Sequence, residues 1–342
     1  MLAPQLLMTI AKNGTPEQRH RALETLGIDS TFRSLRKSTI QTKRFDYSLQ
    51  KNLKPEEQRL IFDAHHKEVP TGELVRSEGR PPTHEVSTDE AYNGLGSTFD
   101  FYWNIFERNS IDGSGMKLEA VVHFSRNYDN AFWNGECMVF GDGDGDLFNR
   151  FTACIDVIGH ELTHGVTQYD CALNYSGQSG ALNESISDVF GSMIKQYYQK
   201  ESVDKSDWLI GNGLLNKNVN GIALRSLKNP GTAYDDKVLG KDMQPSHTKD
   251  FIDTFQDNGG VHLNSGIPNH AFYLAAIRMS EYSWEKVGRI WYETIQDNHL
   301  KPKSSFKDFA LLTVLSAQRL FGRNSEEHKI TIASWKEVGI SL

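Results

Sequence analysis

The distribution of apolar residues changes near Phe151, and this change limits the fold more than any other feature of the sequence. From about Leu60 to Gly145, short runs rich in β-branched and aromatic residues alternate with turn residues, and 118–124 is the clearest strand. A single helical pattern interrupts this half, at about residues 90–106. After Phe151, apolar residues recur at helical spacing, and the last helices are expected at 271–279, 284–295, 306–320 and 330–338. This order predicts an α+β fold, in which a β-rich lobe and a mainly helical lobe enclose a cleft.

Composition excludes several classes of protein. The chain has 342 residues, of which 38% are hydrophobic, so it can build a sizeable core in two lobes. No apolar run approaches the roughly 18 residues that span a bilayer, and the 3 cysteines are too few for a disulfide scaffold. The net charge of −7 disfavours general nucleic-acid binding. We therefore expect no membrane span and no nucleic-acid partner.

Charge is divided unevenly along the chain. Residues 1–54 contain ten basic and four acidic residues, a balance of +6. The remainder contains 27 basic and 40 acidic residues, a balance of −13. A basic head can dock on an acidic body, or it can be a solvated tail, which composition alone favours.

The head also contains a helix-start signal. Thr15 is a suitable N-cap, Pro16 suits the first helical position, and Gln18 can complete a capping box. Gly27 is expected to end this helix, and the polar, basic residues 38–54 are interpreted as a linker. The mildly apolar N-terminus lacks a basic leading segment and a clear cleavage site, so it is not typical of a secretory signal.

One motif carries the chemistry. His160-Glu161-Leu162-Thr163-His164 is H-E-x-x-H within a helical pattern, where positions i and i+4 share a face. Both imidazoles can therefore face one zinc ion. Glu161 can take the proton of a water that the ion has made acidic. The alternative is a pair of surface histidines on an amphipathic helix.

A second segment can complete a metal site. In 180–188, Glu184 and Asp188 are again four residues apart, at the start of a helical pattern. Glu184 is suitably placed to be the third ligand, and Asp188 to accept the other ring N–H of a ligand histidine. The alternative is an ordinary acidic face near a helix N-terminus, where the helix dipole favours carboxylates.

A third cluster, D-N-G-G-V-H, lies far downstream at 257–262. His262 could donate a hydrogen bond to the oxyanion that forms when water attacks a carbonyl, and Asp257 could orient it. Alone, such a segment is usually an ordinary Gly-Gly turn.

Four blocks, in this order, resemble the thermolysin family of zinc metallopeptidases. They are N-A-F-W-N-G at 130–135, then 156–167, 180–188 and 257–266. The resemblance extends from about residue 60 to the C-terminus. The short basic head resembles the prosegment of the protealysin-like branch. That branch usually carries a Pro-Pro-x-x-Leu-like motif, whereas 3–7 contains one proline.

The resemblance implies a zinc-dependent neutral endopeptidase, made as a self-processing zymogen, that prefers a bulky apolar residue after the scissile bond. It implies one catalytic zinc, with His160, His164 and Glu184 as ligands. It implies that Glu161 is the general base and that His262 and Tyr175 stabilise the oxyanion. Asp257 would orient His262, and Asp188 would support a ligand histidine.

The resemblance also implies contacts with a peptide substrate. Asn130 and the backbone of Ala131 would hold the substrate as an added strand, and Arg225 would bind a carbonyl beyond the cleaved bond. An apolar pocket for the following residue would be lined by Phe148, Phe151, Val157 and Leu224.

Two acidic regions depart from a calcium-binding pattern. Calcium-rich relatives carry a glutamate at the position of Lys195, with partners at Asp156 and Asp207. We therefore expect the Lys195 ammonium to replace the double calcium site and to pair with one of these carboxylates. Asp142–Asp146 lacks the glycine and the glutamate that an EF-hand loop requires, which favours a turn, while single calcium sites elsewhere stay open.

These features divide the chain into a prosegment at 1–50, a β-rich catalytic lobe at 51–152 and a helical catalytic lobe at 153–342. The prosegment is expected to inhibit its own cleft until it is cut between about residues 40 and 58. The expected partners are this prosegment and protein or peptide substrates. We expect secretion by a route without a recognisable signal peptide, with a cytoplasmic location as the alternative.

Two other functions are alternatives to a zinc endopeptidase. An aminopeptidase can share the H-E-x-x-H scheme, but the Gly-x-Met-Glu-Asn stretch that commonly binds the substrate amine is absent. A zinc-binding or peptide-binding protein without turnover would typically have lost the base or an oxyanion partner. Glu161, Tyr175 and His262 are all present.

Overall fold

A computed structural model describes residues 1–39, 56–279 and 281–342. No helix among these residues is long and apolar enough to cross a membrane. Residues 40–55 lie outside the described residues, and they include most of the predicted processing region (40–58) and most of the predicted linker (38–54).

The head forms two helices, α1 (Pro4–Asn13) and α2 (Pro16–Thr39). The capping box predicted at Thr15 is confirmed, because Gln18 N–H donates to Thr15 Oγ1 and Thr15 N–H donates to Gln18 Oε1. The sequence did not predict α1. The prediction that Gly27 ends the second helix was wrong, and α2 also includes the first two linker residues. Glycine costs a helix only about 1 kcal/mol relative to alanine. Residues of α2 on both sides of Gly27 are buried, and this burial outweighs that cost.

The N-terminal lobe is built on a five-stranded sheet. Its strands are β1 (Arg59–Asp63), β2 (Glu73–Ser77), β3 (Leu118–Val122), β4 (Ala131–Trp133) and β5 (Met138–Phe140). They lie in the order β2-β1-β3-β5-β4. The three central strands β1, β3 and β5 are parallel, whereas the edge strands β2 and β4 are antiparallel to their neighbours β1 and β5. The predicted strand 118–124 ends two residues early, because His123 has a φ of 53° and leaves the extended conformation.

One long helix, α3 (Val86–Phe106), covers this sheet, as the pattern at 90–106 predicts. The Glu85 side chain caps α3 by accepting the N–H groups of Ser87 and Thr88, so the helix begins before the first apolar repeat.

The C-terminal lobe is mainly helical, which confirms the predicted fold class. Its helices are α4 (Ile155–Asp170), α5 (Gly177–Gln199), α6 (Asp257–Asn264), α7 (Gly266–Met279), α8 (Val287–Gln296), α9 (Phe306–Phe321) and α10 (Glu326–Glu337). Short two-stranded ribbons join them, namely β6 (Leu209–Ile210) with β7 (Arg225–Ser226), and β8 (Asp235–Asp236) with β9 (Gly240–Lys241). Helix α10 begins four residues before its predicted start because Ser325 caps it.

Helices α4 and α5 lie side by side at the centre of this lobe and are buried on almost every face. Helix α4 also reaches the sheet, since the backbone N–H of Trp133 in β4 donates to Glu161 in α4 at 3.0 Å. The H-E-x-x-H segment therefore lies where the two lobes meet.

Candidate active site

Helix α4 aims its two motif histidines at one point. His160 Nε2 and His164 Nε2 are 3.1 Å apart, and both side chains are at most 2% exposed. Such burial excludes the surface-histidine alternative. The histidines and Glu161 form a group whose ligand atoms all lie within 4.8 Å of one another.

Glu184 on α5 closes this cluster. Its Oε1 lies 3.3 Å from His164 Nε2, and its Oε2 lies 3.5 Å from His160 Nε2. Oε2 is buried and accepts no hydrogen bond from the described part of the chain, which is costly for a carboxylate unless a cation completes the site. Two imidazoles and one carboxylate are the donor set of a catalytic zinc site, so the residues fit this metal.

Further polar side chains orient the two histidines. Asp188 Oδ1 lies 2.8 Å from His160 Nδ1, while Asn183 Oδ1 lies 2.7 Å from His164 Nδ1. Arg225 in turn donates to both Asp188 oxygens at 2.8 Å. Each ring nitrogen that faces away from the cluster therefore has an acceptor, which directs Nε2 inward.

The downstream cluster joins the site through the short helix α6. His262 Nδ1 lies 2.7 Å from Asp257 Oδ1, and Nε2 lies 3.2 Å from the Tyr175 hydroxyl. That hydroxyl also donates a short hydrogen bond to Glu184. Gly259 and Gly260 have φ values of 88° and 71°, so the predicted Gly-Gly turn exists and directs His262 into the site.

Burial and neighbouring charges set the ionisation of this cluster. Burial alone would raise the pKa of Glu184, but His262 and His164 hold it well below its ordinary value. Burial is likewise outweighed at Glu161, where the Met1 amino group and the two imidazoles lower the pKa to about 2. Arg225 and His160 hold the Asp188 pKa far below its ordinary value. All three carboxyl groups are therefore ionised at neutral pH.

The first residues of the head lie inside this site. The Met1 amino nitrogen is 2.9 Å from Glu161 Oε1, and the Met1 carbonyl accepts a hydrogen bond from Arg225 at 3.1 Å. The Leu2 N–H donates to Asn130 Oδ1 at 3.0 Å. Asn130 and Arg225, which the resemblance assigns to the substrate, thus contact the head.

Helix α2 extends this contact along the N-terminal lobe. Asp29 accepts hydrogen bonds from the Tyr128 hydroxyl at 2.5 Å and from Asn130 Nδ2 at 2.7 Å. Arg21 pairs with Asp144 at 2.9 Å and with Asp146 at 3.0 Å. The basic head therefore docks on acidic residues of the body and is not a solvated tail.

The remaining predicted contacts are placed as follows. Ala131 begins β4 beside Asn130, and its N–H donates to Asn130 Oδ1 at 2.9 Å. The four residues predicted to line an apolar pocket are each at most 4% exposed: Phe148, Phe151, Val157 and Leu224. A separate cavity of about 510 Å³ opens beside Glu161, and Phe132 and Asp29 are among its lining residues.

The ion pairs of Lys195 and the conformation of 142–146 agree with the sequence-based predictions. Lys195 Nζ lies 2.7 Å from Asp207 Oδ1 and 3.1 Å from Asp156 Oδ2, so the ammonium pairs with both carboxylates. The segment 142–146 is a turn, in which Asp144 Oδ1 accepts the N–H groups of the following residues 146–148.

Sequence reasoning missed three groups of this site. Asn183 orients His164, the Trp133 N–H holds Glu161, and Asn269 donates to Asp188 at 2.9 Å. Asn183 directly precedes Glu184 in one matched block and Trp133 lies in another, and these were the available signals. The contacts of Trp133 and Asn269 depend on how α4 packs against β4 and on how α5 packs against α7.

Comparisons with known proteins agree with this geometry. A family model for the thermolysin metallopeptidase catalytic domain matches residues 20–168, and one for its α-helical domain matches residues 171–340. An extracellular metalloprotease of Pectobacterium carotovorum subsp. carotovorum is 48% identical over 349 residues, which cover 100% of this chain and 96% of the relative. Protease PrtS of Photorhabdus sp. (strain Az29) is 47% identical over 345 residues, which cover 100% and 92%.

A solved structure is similar over the whole chain. It is the precursor of protealysin, a metalloproteinase from Serratia proteamaculans, with 48% identity and a TM-score of 0.91, and the match covers 100% of this chain and 99% of that one. The resemblance drawn from the four sequence blocks is thereby confirmed. The chain is a metallopeptidase that belongs to the thermolysin family, in its protealysin-like branch.

Proposed function

We propose that this chain is the latent precursor of a zinc endopeptidase and that residues 1–50 are its inhibitory prosegment. One observation carries the proposal: the same side chains that would bind a substrate, Asn130 and Arg225, bind the backbone of Leu2 and Met1. A peptide cannot reach these groups while the head is in place. The catalytic part would comprise the lobes at 51–152 and 153–342.

His160, His164 and Glu184 would hold the zinc ion. When bound, the ion supplies a Lewis acid and lowers the pKa of a coordinated water. Asp188 and Asn183 keep the ring nitrogens of the histidines directed toward it. No calcium is assigned to the Lys195 region, because its ammonium already pairs with Asp156 and Asp207.

Glu161 would act as the general base. Its carboxylate is ionised, buried and held by the Trp133 N–H, so it can take a proton from the attacking water and deliver it to the leaving amine. His262 and Tyr175 would donate hydrogen bonds to the oxyanion. Because His262 Nδ1 lies 2.7 Å from Asp257 Oδ1, the opposite ring nitrogen, Nε2, is the one directed toward the site.

Substrate specificity rests on the edge of β4 and on buried apolar side chains. Asn130 and Ala131 at the start of β4 would pair with an extended peptide, while Arg225 would bind its carbonyl. Phe148, Phe151, Val157 and Leu224 would provide an apolar subsite for the residue after the cleaved bond. Because the named relative from Pectobacterium is extracellular, we propose that this chain is also secreted.

A pair of variants tests the catalytic roles. In the processed enzyme, His262→Ala should lower kcat on a peptide substrate by about 10²–10³-fold, because one oxyanion donor is lost. Its zinc content should equal that of the parent enzyme. His299→Ala is the matched control, since this side chain is 83% exposed and pairs with Asp297, two residues earlier. Equal kcat values for the two variants would contradict the assignment of His262.

A further inference from the structure

The carboxyl ends of three neighbouring parallel strands bring a second set of metal-binding side chains together. His66 follows β1 by three residues, His123 directly follows β3, and Asp142 follows β5 by two residues. One ligand atom from each residue lies within 4.8 Å of the other two. We propose that these three residues form a second zinc site, separate from the catalytic cluster.

The distances suit a zinc ion. His66 Nδ1 lies 3.6 Å from Asp142 Oδ2, close to the ligand–ligand separation of about 3.3 Å that tetrahedral bonds of 2.0–2.1 Å require. His123 Nδ1 lies 2.9 Å from Asp142 Oδ2, so this pair must open by only a few tenths of an ångström. Two imidazoles and one carboxylate favour zinc over calcium, which prefers an all-oxygen site.

A carboxylate already supports one of the proposed ligands. Glu85 Oε2 lies 3.3 Å from His123 Nε2, the ring nitrogen opposite the one that faces Asp142. Glu85 is itself fixed, because its oxygens accept the Ser87 and Thr88 N–H groups at the start of α3. Metal-bound histidines usually donate their second N–H to such a carboxylate.

The backbone around the site is already ordered by hydrogen bonds. The His66 N–H donates to the His123 carbonyl at 2.8 Å, and the Phe124 N–H donates to the Phe140 carbonyl at 3.1 Å. The loops that carry the ligands are therefore linked to one another beyond the strands. His66 Nδ1 is also 3.2 Å from the Ser125 carbonyl, a hydrogen bond that zinc would replace. An ion bound there would connect the ends of β1, β3 and β5.

Zinc stoichiometry tests the proposal. The full chain with Glu161→Gln, which prevents self-cleavage, is equilibrated with Zn²⁺, separated from free metal by gel filtration and analysed for bound zinc. We expect two ions per chain in this parent, one after an added His66→Ala, and two after an added His65→Ala. His65 is the matched control, because it is the neighbouring histidine and pairs with Asp63 and Glu73 instead of Asp142.

Each outcome decides between the two sites. One ion in the parent that His164→Ala removes and His66→Ala retains would overturn the second site and leave the proposed function intact. Two ions retained in both His66→Ala and His123→Ala would also overturn it. One ion that only His66→Ala removes would support this site and contradict the proposed catalytic one. His66 is 42% exposed, so its truncation should fold, and an unchanged melting temperature without added zinc verifies this.

Discussion

Replacing Lys195 with methionine should destabilise the folded chain by about 3 kcal/mol, the lower end of the 3–5 kcal/mol typical of a broken buried ion pair. The ammonium pairs with Asp156 and Asp207 and donates to the Leu209 carbonyl at 2.6 Å. Asp156 is 2% exposed, so it would keep its desolvation cost without a cation. Asp207 is 33% exposed, so water would partly solvate its freed charge. The expected loss of stability therefore lies at the lower end of the range of about 3–5 kcal/mol.

The loss should be independent of pH near neutrality. Burial lowers the pKa of Lys195, but Asp156 and Asp207 outweigh it and raise the pKa above its ordinary value. The ammonium therefore stabilises the fold at every pH below about 10.4 and ceases to do so only as pH rises through its folded pKa. The lowered pKa of Asp207 has the opposite sign, and its contribution is lost only as pH falls below about 3.9. Between pH 6 and 9 the difference between variant and parent should be constant.

Urea unfolding of the full chain, in a Glu161→Gln background to prevent proteolysis, provides the assay. The variant should unfold at lower urea concentration with an unchanged m-value. Lys117→Met is the matched control, because Lys117 is exposed, and it should stay within about 0.5 kcal/mol of the parent. A Lys195→Met variant within the same range would refute the view that this buried pair stabilises the fold.

Three further predictions concern the same network, the metal site and the head. Without calcium, Lys195→Glu should be less stable than Lys195→Met, because a third carboxylate would lie beside Asp156 and Asp207. It alone should gain stability in millimolar Ca²⁺, and equal responses of the two variants to Ca²⁺ would contradict a cation site at this position. Asn183→Ala should weaken zinc binding by about 10–100-fold in a chelator competition, because an orienting acceptor is lost; unchanged affinity would show that Asn183 has no such role. Asp29→Asn should raise the initial peptidase rate of the uncut precursor about tenfold or more, since a charge-assisted hydrogen bond contributes about 1.5–3 kcal/mol. The exposed Glu24→Gln is its control, and equal rates would contradict the inhibitory contact.

The sequence predicted those parts of the fold and of the site that depend on residues close together in the chain. Helical spacing places His160 and His164 on one face, and the same rule applies to Glu184 and Asp188 on the next helix. The capping box at Thr15 was predictable because all of its groups lie within one turn. In each case, nearby residues alone decide the geometry.

Features that depend on tertiary packing could not be predicted in this way. Helix α1 and the passage of α2 through Gly27 are stabilised by burial against the body, which outweighs local propensity. His66, His123 and Asp142 are far apart in sequence, and only the parallel order of β1, β3 and β5 brings them together.

The most direct test of the account is a time course of the purified full chain beside its Glu161→Ala variant, with zinc content measured in both. We predict that both bind zinc, and that only the parent cuts itself between about residues 40 and 58 and then digests casein. If both proteins bind zinc and neither cleaves casein, even after another protease removes the head, the account of a latent endopeptidase is contradicted.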